Sequence, residues 1–503
     1  MTGTATGGRL PFWATGWFWL VLALLSTTPF VFTSLPPIPD FFSHMGRYHV
    51  MNHGGQSAYL SKYYAFQWHV IGNLGVDLVM VPMGRLLPTE LAATLVVAAI
   101  PPLTILGIYA VAKAVWGRIE APALLGPGFV YSFSFVYGFV NYHLALALAL
   151  WVFALWVRAE SWPVWRRYLV FAPLGALVWL AHVAGWGALL VMVGAWELAS
   201  ALREEARVPA IAQRLVLRLP PLLLPMVFIL AWRTGAAATG PQFGFYWPLK
   251  VTWPFNSLKS ENKVFDVACA IFIGAVALCM LVSRRFAKDY RMLAVAGALL
   301  VAYLAMPTML FQSFFADERL LPPLFFALVL AMSVPRLKHQ AIVAMIALAF
   351  FGVRLTAITI GWHERGGEAA GELRALDGVP NGSRIAAFAA PAYCAAWELH
   401  GFEHLPSLAI IRREAFVNTE WDTPGAQLMR PIYNDGFGFN DADSAYLPGH
   451  NGRCTGEALS SRLQRLPRSR FDYVWIFDEP LQSLPWLRLQ FSGAHGKLYA
   501  VTH

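Results

Sequence analysis

About eleven apolar stretches dominate this sequence, each close to the ~20 residues that carry a helix across ~30 Å of hydrocarbon. They lie near 13–35, 89–112, 121–140, 143–158, 168–181, 182–200, 214–233, 264–282, 292–311, 319–335 and 340–360. With 57% hydrophobic and 13% charged residues over 503 positions, the composition is not that of a soluble enzyme. The expected fold class is a polytopic α-helical membrane protein. A net charge of +9 does not call for nucleic acid, because membrane proteins retain Lys and Arg on cytoplasmic loops. The first apolar stretch follows Arg9 as in a signal peptide, lacks a small-x-small cleavage site before Pro36, and reads as a retained span.

The positive residues give the orientation. They cluster at Lys113/Arg118, Arg158/Arg166/Arg167, Arg203/Arg207/Arg214/Arg218, Arg284/Arg285/Lys288/Arg291 and Arg336/Lys338. All five fall on one side if the N-terminus is cytoplasmic and 65–88 does not cross. The region 36–88 then becomes an outer loop with two interfacial helices, the second punctuated by Gly72, Gly75, Pro82 and Gly84. Two domains are expected: 1–361 in the membrane and 362–503 outside it.

The C-terminal region shifts in composition. Ser383–Phe388, Leu408–Ile411 and Phe471–Phe477 read as strands, and 368–376 and 456–466 as helices, which suits a small α/β domain. Of four cysteines, Cys269 and Cys279 sit in an apolar span, leaving Cys394 and Cys454 as the pair open to a disulfide in an oxidising compartment.

Polar residues that fall on the outer side are the candidates for chemistry. In Pro39-Asp40-Phe41-Phe42-Ser43-His44-Met45-Gly46-Arg47-Tyr48-His49, helical spacing places Asp40, His44 and Arg47 at i, i+4 and i+7 on one face. The competing reading is an interfacial amphipathic helix with its aromatic residues in the headgroups. Arg319, in Asp317-Glu318-Arg319-Leu320-Leu321-Pro322, is either part of a hydrated helix start or a bidentate phosphate ligand. Arg354 either snorkels or joins it. His143 and His182 border spans, as structural histidines or as substrate-lining ones. Tyr246 and Trp247 belong to an aromatic loop with Lys250, Lys259 and Lys263, either an interfacial belt or a stacking wall. His49 and His53 stand at i, i+4, so a divalent metal near Asp40 and His44 is weighed, without a third ligand at family-like spacing. No P-loop, dinucleotide fingerprint or G-x-S-x-G elbow is present.

The layout resembles the GT-C superfamily of integral membrane glycosyltransferases, such as protein O-mannosyltransferases and the aminoarabinose transferase of lipid A. Pro39-Asp40 matches the acid at the start of the first outer loop, 40–88 matches a loop with two interfacial helices, and Arg319 looks like the phosphate-contacting arginine of a later loop. The resemblance covers roughly 13–360; the tail matches nothing nameable. It implies a polyprenyl-phosphate-linked sugar donor, a lipid, glycan or protein acceptor, Asp40 as general base with His44 orienting, and Arg319, Arg47 and Arg354 around the donor phosphate. Residency in the inner membrane, among its lipids, follows from the same resemblance. Where many members carry paired acids in the first loop, this chain has Asp40 and, much later, Asp77. The alternatives are a transporter or flippase of an amphiphile, with polar groups through the depth of the bundle, and a non-catalytic scaffold.

Overall fold

The computed structural model describes residues 11–502 apart from 205–206, 229–242, 311–312, 395–396, 398, 400, 424–425, 434–435 and 449–455. Six of its helices are long and apolar enough to cross a membrane: Thr89–Trp116, Val140–Arg158, Val164–Ala181, Val183–Glu204, Lys263–Val282 and Leu337–Leu376. A bent pair, Val208–Arg218 and Pro220–Phe228, makes a seventh if it is one span, and Gly16–Val31 and Tyr290–Ala305 are shorter apolar helices. The chain is a multi-pass membrane protein.

Two of the expected spans take another form. Residues 121–140 become a 3-10 helix, Ala121–Phe129, and a short helix, Phe133–Tyr137. Pro122, Gly126, Pro127 and Gly128 prevent a continuous α-helix. Residues 319–335 shorten to a 10-residue helix, Leu321–Leu330. Both segments still run from one level of the bundle to the other. Glu120 accepts hydrogen bonds from the Val334 amide (3.1 Å) and from Gln340 (3.3 Å), while Gly138 and Arg319 lie at the opposite end, beside Asp40. Every residue from Ala121 to Gly138 is buried, which is where non-helical backbone is tolerated at membrane depth.

The positive clusters meet at one level. Glu197 pairs with Arg167 (3.3 Å), Arg214 (3.2 Å) and Arg218 (3.2 Å). Glu160 pairs with Arg214 (3.6 Å) and Arg291 (3.9 Å), and Arg118 pairs with Glu120 (2.5 Å). The strand pairing of Ala287–Lys288 with Met332–Ser333 brings in the last cluster.

At the other level lie the helices of 36–88. Pro39–His53 starts with Pro at its first position and Asp40 in its first turn, both favoured there. Gly75–Leu86 has 12 residues, about 18 Å of helix, too short to cross. The 36-residue helix Leu337–Glu372 is about 54 Å long and passes without a break from the bundle into the C-terminal region, across position 361. Thr33 holds it by donating to the Trp362 carbonyl (2.8 Å).

The C-terminal region is built on a five-stranded mixed sheet, ordered Leu487–Ser492, Gly496–Val501, Tyr473–Phe477, Arg384–Phe388, Phe416–Val417. Arg384–Phe388 runs parallel to both neighbours, pairing Ile385 with Tyr473 and with Val417. These central strands are nearly continuous apolar runs, as expected of strands buried on both faces. Leu408–Ile411 is not a strand. It is the helix Leu408–Arg413, entered through a 3-10 turn with Pro406 and ended by Glu414 at φ 48°. Four apolar residues alone do not distinguish a buried helix from a strand.

Candidate active site

The helix Pro39–His53 does not turn its apolar side chains outward. Phe41, Phe42, Met45 and Tyr48 are all 0% exposed, because the C-terminal region closes over it. Gly46 permits the contact: a Cβ there would lie 2.9 Å from Ile410 Cδ1 and 2.9 Å from Glu420 Oε1. Ser43 donates to Glu420 Oε2 (2.7 Å). A short pairing of Tyr64–Phe66 with Met429–Pro431 fastens the loop further on. Asp40 and His44 alone keep partial exposure in the first two turns.

Asp40 rests on Gly138. A Cβ at 138 would sit 2.5 Å from Asp40 Cβ, and φ there is +127°, so both backbone and space demand glycine. The next residue, Phe139, lies under the Arg319 guanidinium, 4.3 Å from Cζ to the ring centroid. The Gly138-Phe139 corner thus brings Asp40 and Arg319 together. Burial pushes the Asp40 carboxyl well above the usual carboxylate range, Glu403 adds to this, and Arg319 opposes it. His44 is held well below the usual imidazole range, by burial first and then by Arg47 and His404, against the pull of the Gly138 carbonyl. It is neutral at physiological pH and faces Trp421, with ring centroids 5.6 Å apart.

The three arginines differ. Arg319 is 7% exposed and donates Nη1 to Ser313 (3.0 Å). Its Nε has no partner among the described residues. Arg47 lies on the Asp40 face of the helix, but its side chain is engaged by Asp77. It forms a two-pronged pair with Asp77 at 3.0 and 3.1 Å and also donates to Gln427. Arg354 does not snorkel: at 3% exposure it pairs with Asp266 (2.7 Å) and donates to the Leu258 carbonyl (3.0 Å). Arg319 is the arginine with donors left over beside Asp40.

His143 and His182 have structural partners. His143 is buried, its Nε2 3.0 Å from Ser134 Oγ. His182 accepts from the Ala184 amide through Nδ1 (3.0 Å), and its ring lies 5.9 Å from that of Tyr142, whose hydroxyl donates to the Arg319 carbonyl. Tyr246 and Trp247 are exposed at the start of the helix Trp247–Asn256, while 234–242 of that aromatic loop lie outside the described residues. Lys250 anchors this helix by pairing with Asp317 (2.9 Å), and Lys259 sits 5.6 Å from the Phe133 ring.

The metal reading does not fit. Among the described residues no three His, Cys, Asp or Glu side chains converge as metal ligands. His49 faces Thr89 (3.0 Å) and stacks on His53.

The pattern of the sequence did not reveal Gly138 or the C-terminal residues Glu403, His404, Glu420 and Trp421. Glycine before an aromatic at the start of an apolar run was the only signal for the first, and nothing local marked the others.

No protein-family model and no curated protein matches the chain. Among solved structures it is similar to ArnT from Cupriavidus metallidurans bound to undecaprenyl phosphate, at 12% identity and a TM-score of 0.48, over 97% of this chain and 98% of that one. It is also similar to the arabinofuranosyltransferase AftD from Mycobacteria, at 15% identity and a TM-score of 0.47, over 97% of this chain and 42% of that one. These likenesses concern the course of the chain and say nothing of which residues act.

Proposed function

We propose that this protein is a membrane glycosyltransferase that moves a sugar from a polyprenyl-phosphate-linked donor to an acceptor at the extracytoplasmic face. The observation that carries the reading is the meeting of a half-buried carboxylate, Asp40, with an arginine that keeps donors in reserve, Arg319, across the Gly138-Phe139 corner. An acceptor hydroxyl or amine attacks the anomeric carbon, its proton passes to Asp40, and the bond to the donor phosphate breaks with the electron pair leaving on polyprenyl phosphate. Arg319 stabilises the charge that develops there. Neutral His44, one turn along, orients the acceptor. Arg47 and Arg354 hold the scaffold through Asp77 and Asp266 instead of holding phosphate.

The sidedness has two supports. The positive clusters gather at the level opposite Asp40, which supports reading that level as the cytoplasmic one. Cys394 is disulfide-bonded, as residues of an oxidising compartment are; Cys269 and Cys279 are free, and Cys454 lies outside the described residues. The N-terminus is then cytoplasmic, the membrane is a plasma or inner membrane, and 362–503 forms an outer domain over the 1–361 bundle. Among the described residues the buried ionic groups collect at the two levels, not through the depth as a transporter would arrange them.

Undecaprenyl phosphate serves as the probe for the donor site. Native mass spectrometry of the purified protein should show it bound by wild type and at least tenfold more weakly by Arg319→Gln. Equal binding by both proteins would remove Arg319 from the donor site.

A further inference from the structure

We infer that Glu403, supplied by the C-terminal region, is the second carboxyl of this site and a positioning residue that governs the charge on Asp40. This rests on the proposed function for its catalytic meaning, though its geometry stands alone. Gly401, at φ +72°, turns the chain onto the start of the Asp40 helix; a Cβ there would lie 3.3 Å from Pro39 Cα. Two residues on, Glu403 is 2% exposed. Its Oε1 accepts from the Ala392 amide (2.8 Å), and its Oε2 has no partner among the described residues. The following His404 is fixed by the Thr419 carbonyl (2.7 Å), and its ring lies 4.3 Å from Trp421, which in turn faces His44. The 401–404 loop is therefore held along the first turn of the helix by contacts on both sides of Glu403.

A buried carboxyl with one oxygen unsatisfied costs free energy that packing alone does not require. Burial raises Glu403 to about 7, so near neutral pH it exchanges its proton while Asp40 feels its charge. Two such groups titrate as a pair. With Glu403 protonated, Asp40 is free to ionise as a base; with Glu403 ionised, Asp40 holds its proton more tightly. The other groups around Asp40 are His44 and Arg47 on its own helix, Asp317, Glu318 and Arg319 from the segment before Leu321–Leu330, Tyr142 and His143 from Val140–Arg158, and His404 and Glu420 from the C-terminal region. Of these, the charges acting on Asp40 are those of Glu403 and Arg319.

The test needs no substrate. Dicyclohexylcarbodiimide modifies protonated carboxyls, so the pH dependence of Asp40 labelling, read by mass spectrometry on the full-length protein in detergent, gives its protonation midpoint. In Glu403→Gln the midpoint should fall by about one pH unit or more. In Glu420→Gln, which alters an equally buried acid bonded to Ser43 of the same helix, it should not move. An unchanged midpoint in Glu403→Gln, or an equal shift in both variants, overturns the inference. Should Glu403→Gln fail to fold, Glu403→Asp decides: with its charge drawn back, the Asp40 midpoint falls, and an unmoved midpoint again overturns it. Failure to find any sugar donor would sink the transferase reading and leave this result intact.

Discussion

Replacing Arg47 by Met separates a structural arginine from a phosphate ligand. Arg47 and Asp77 are 3% and 1% exposed and join the helices Pro39–His53 and Gly75–Leu86 through contacts of 3.0 and 3.1 Å. Asn141 adds a third bond to the same carboxylate (3.1 Å) and caps the Val76 amide (2.7 Å). Removing one member leaves Asp77 buried without its countercharge, which costs about 3–5 kcal/mol. That is a large part of the ~5–15 kcal/mol available to a folded domain. Converting Asp77 to Asn as well removes the stranded charge and leaves a neutral amide that Asn141 can still meet, so the double variant should recover more than half of the loss. The assay is thermal unfolding in detergent for wild type, Arg47→Met, Asp77→Asn and the double variant, with undecaprenyl phosphate binding measured on those that fold. The double variant should bind as wild type does. A well-folded double variant that has lost binding would refute the structural assignment and return Arg47 to the donor site.

Gly138→Ala should destabilise by roughly 1–3 kcal/mol from overpacking alone and abolish transfer, since its Cβ would displace Asp40; a folded variant with normal transfer in the radiolabel assay would contradict the placement of Asp40. Transfer should fall as pH drops through the raised Asp40 pKa, placing the acid limb of the pH–rate profile above the ordinary carboxylate range; a limb near pH 4 would contradict it. Glu403 and Glu420 are both raised to about 7 from ~4.3, so the fold favours their protonated forms. Their contribution is full below the unfolded value and is lost as pH rises through about 7. Thermal unfolding followed from pH 6 to pH 8 should therefore show falling stability, less steeply in Glu420→Gln.

The bundle, and the gathering of Arg and Lys at one of its levels, were legible because apolar length and the placement of charge are local properties of sequence. The form of 121–140 and 319–335 was not, since a chain buried within protein can cross on 3-10 turns and short helices where proline and glycine interrupt it. Asp40 and Arg319 were legible as isolated ionisable groups beside apolar spans. The separate fates of Arg47 and Arg354 depended on Asp77 and Asp266, acids 30 and 88 positions away. The roof over the site was illegible for the same reason: Glu403, Glu420 and Trp421 reach the Asp40 helix only through the packing of a region more than 350 residues downstream.

The most direct test of the whole account is turnover by the purified protein of a panel of radiolabelled polyprenyl-phosphate sugars, wild type beside Asp40→Asn, with both checked for folding by size exclusion. The account predicts release of polyprenyl phosphate and a glycosylated product from wild type, and a loss on the order of 10²–10⁴-fold in the variant. Equal turnover by the two proteins would contradict it.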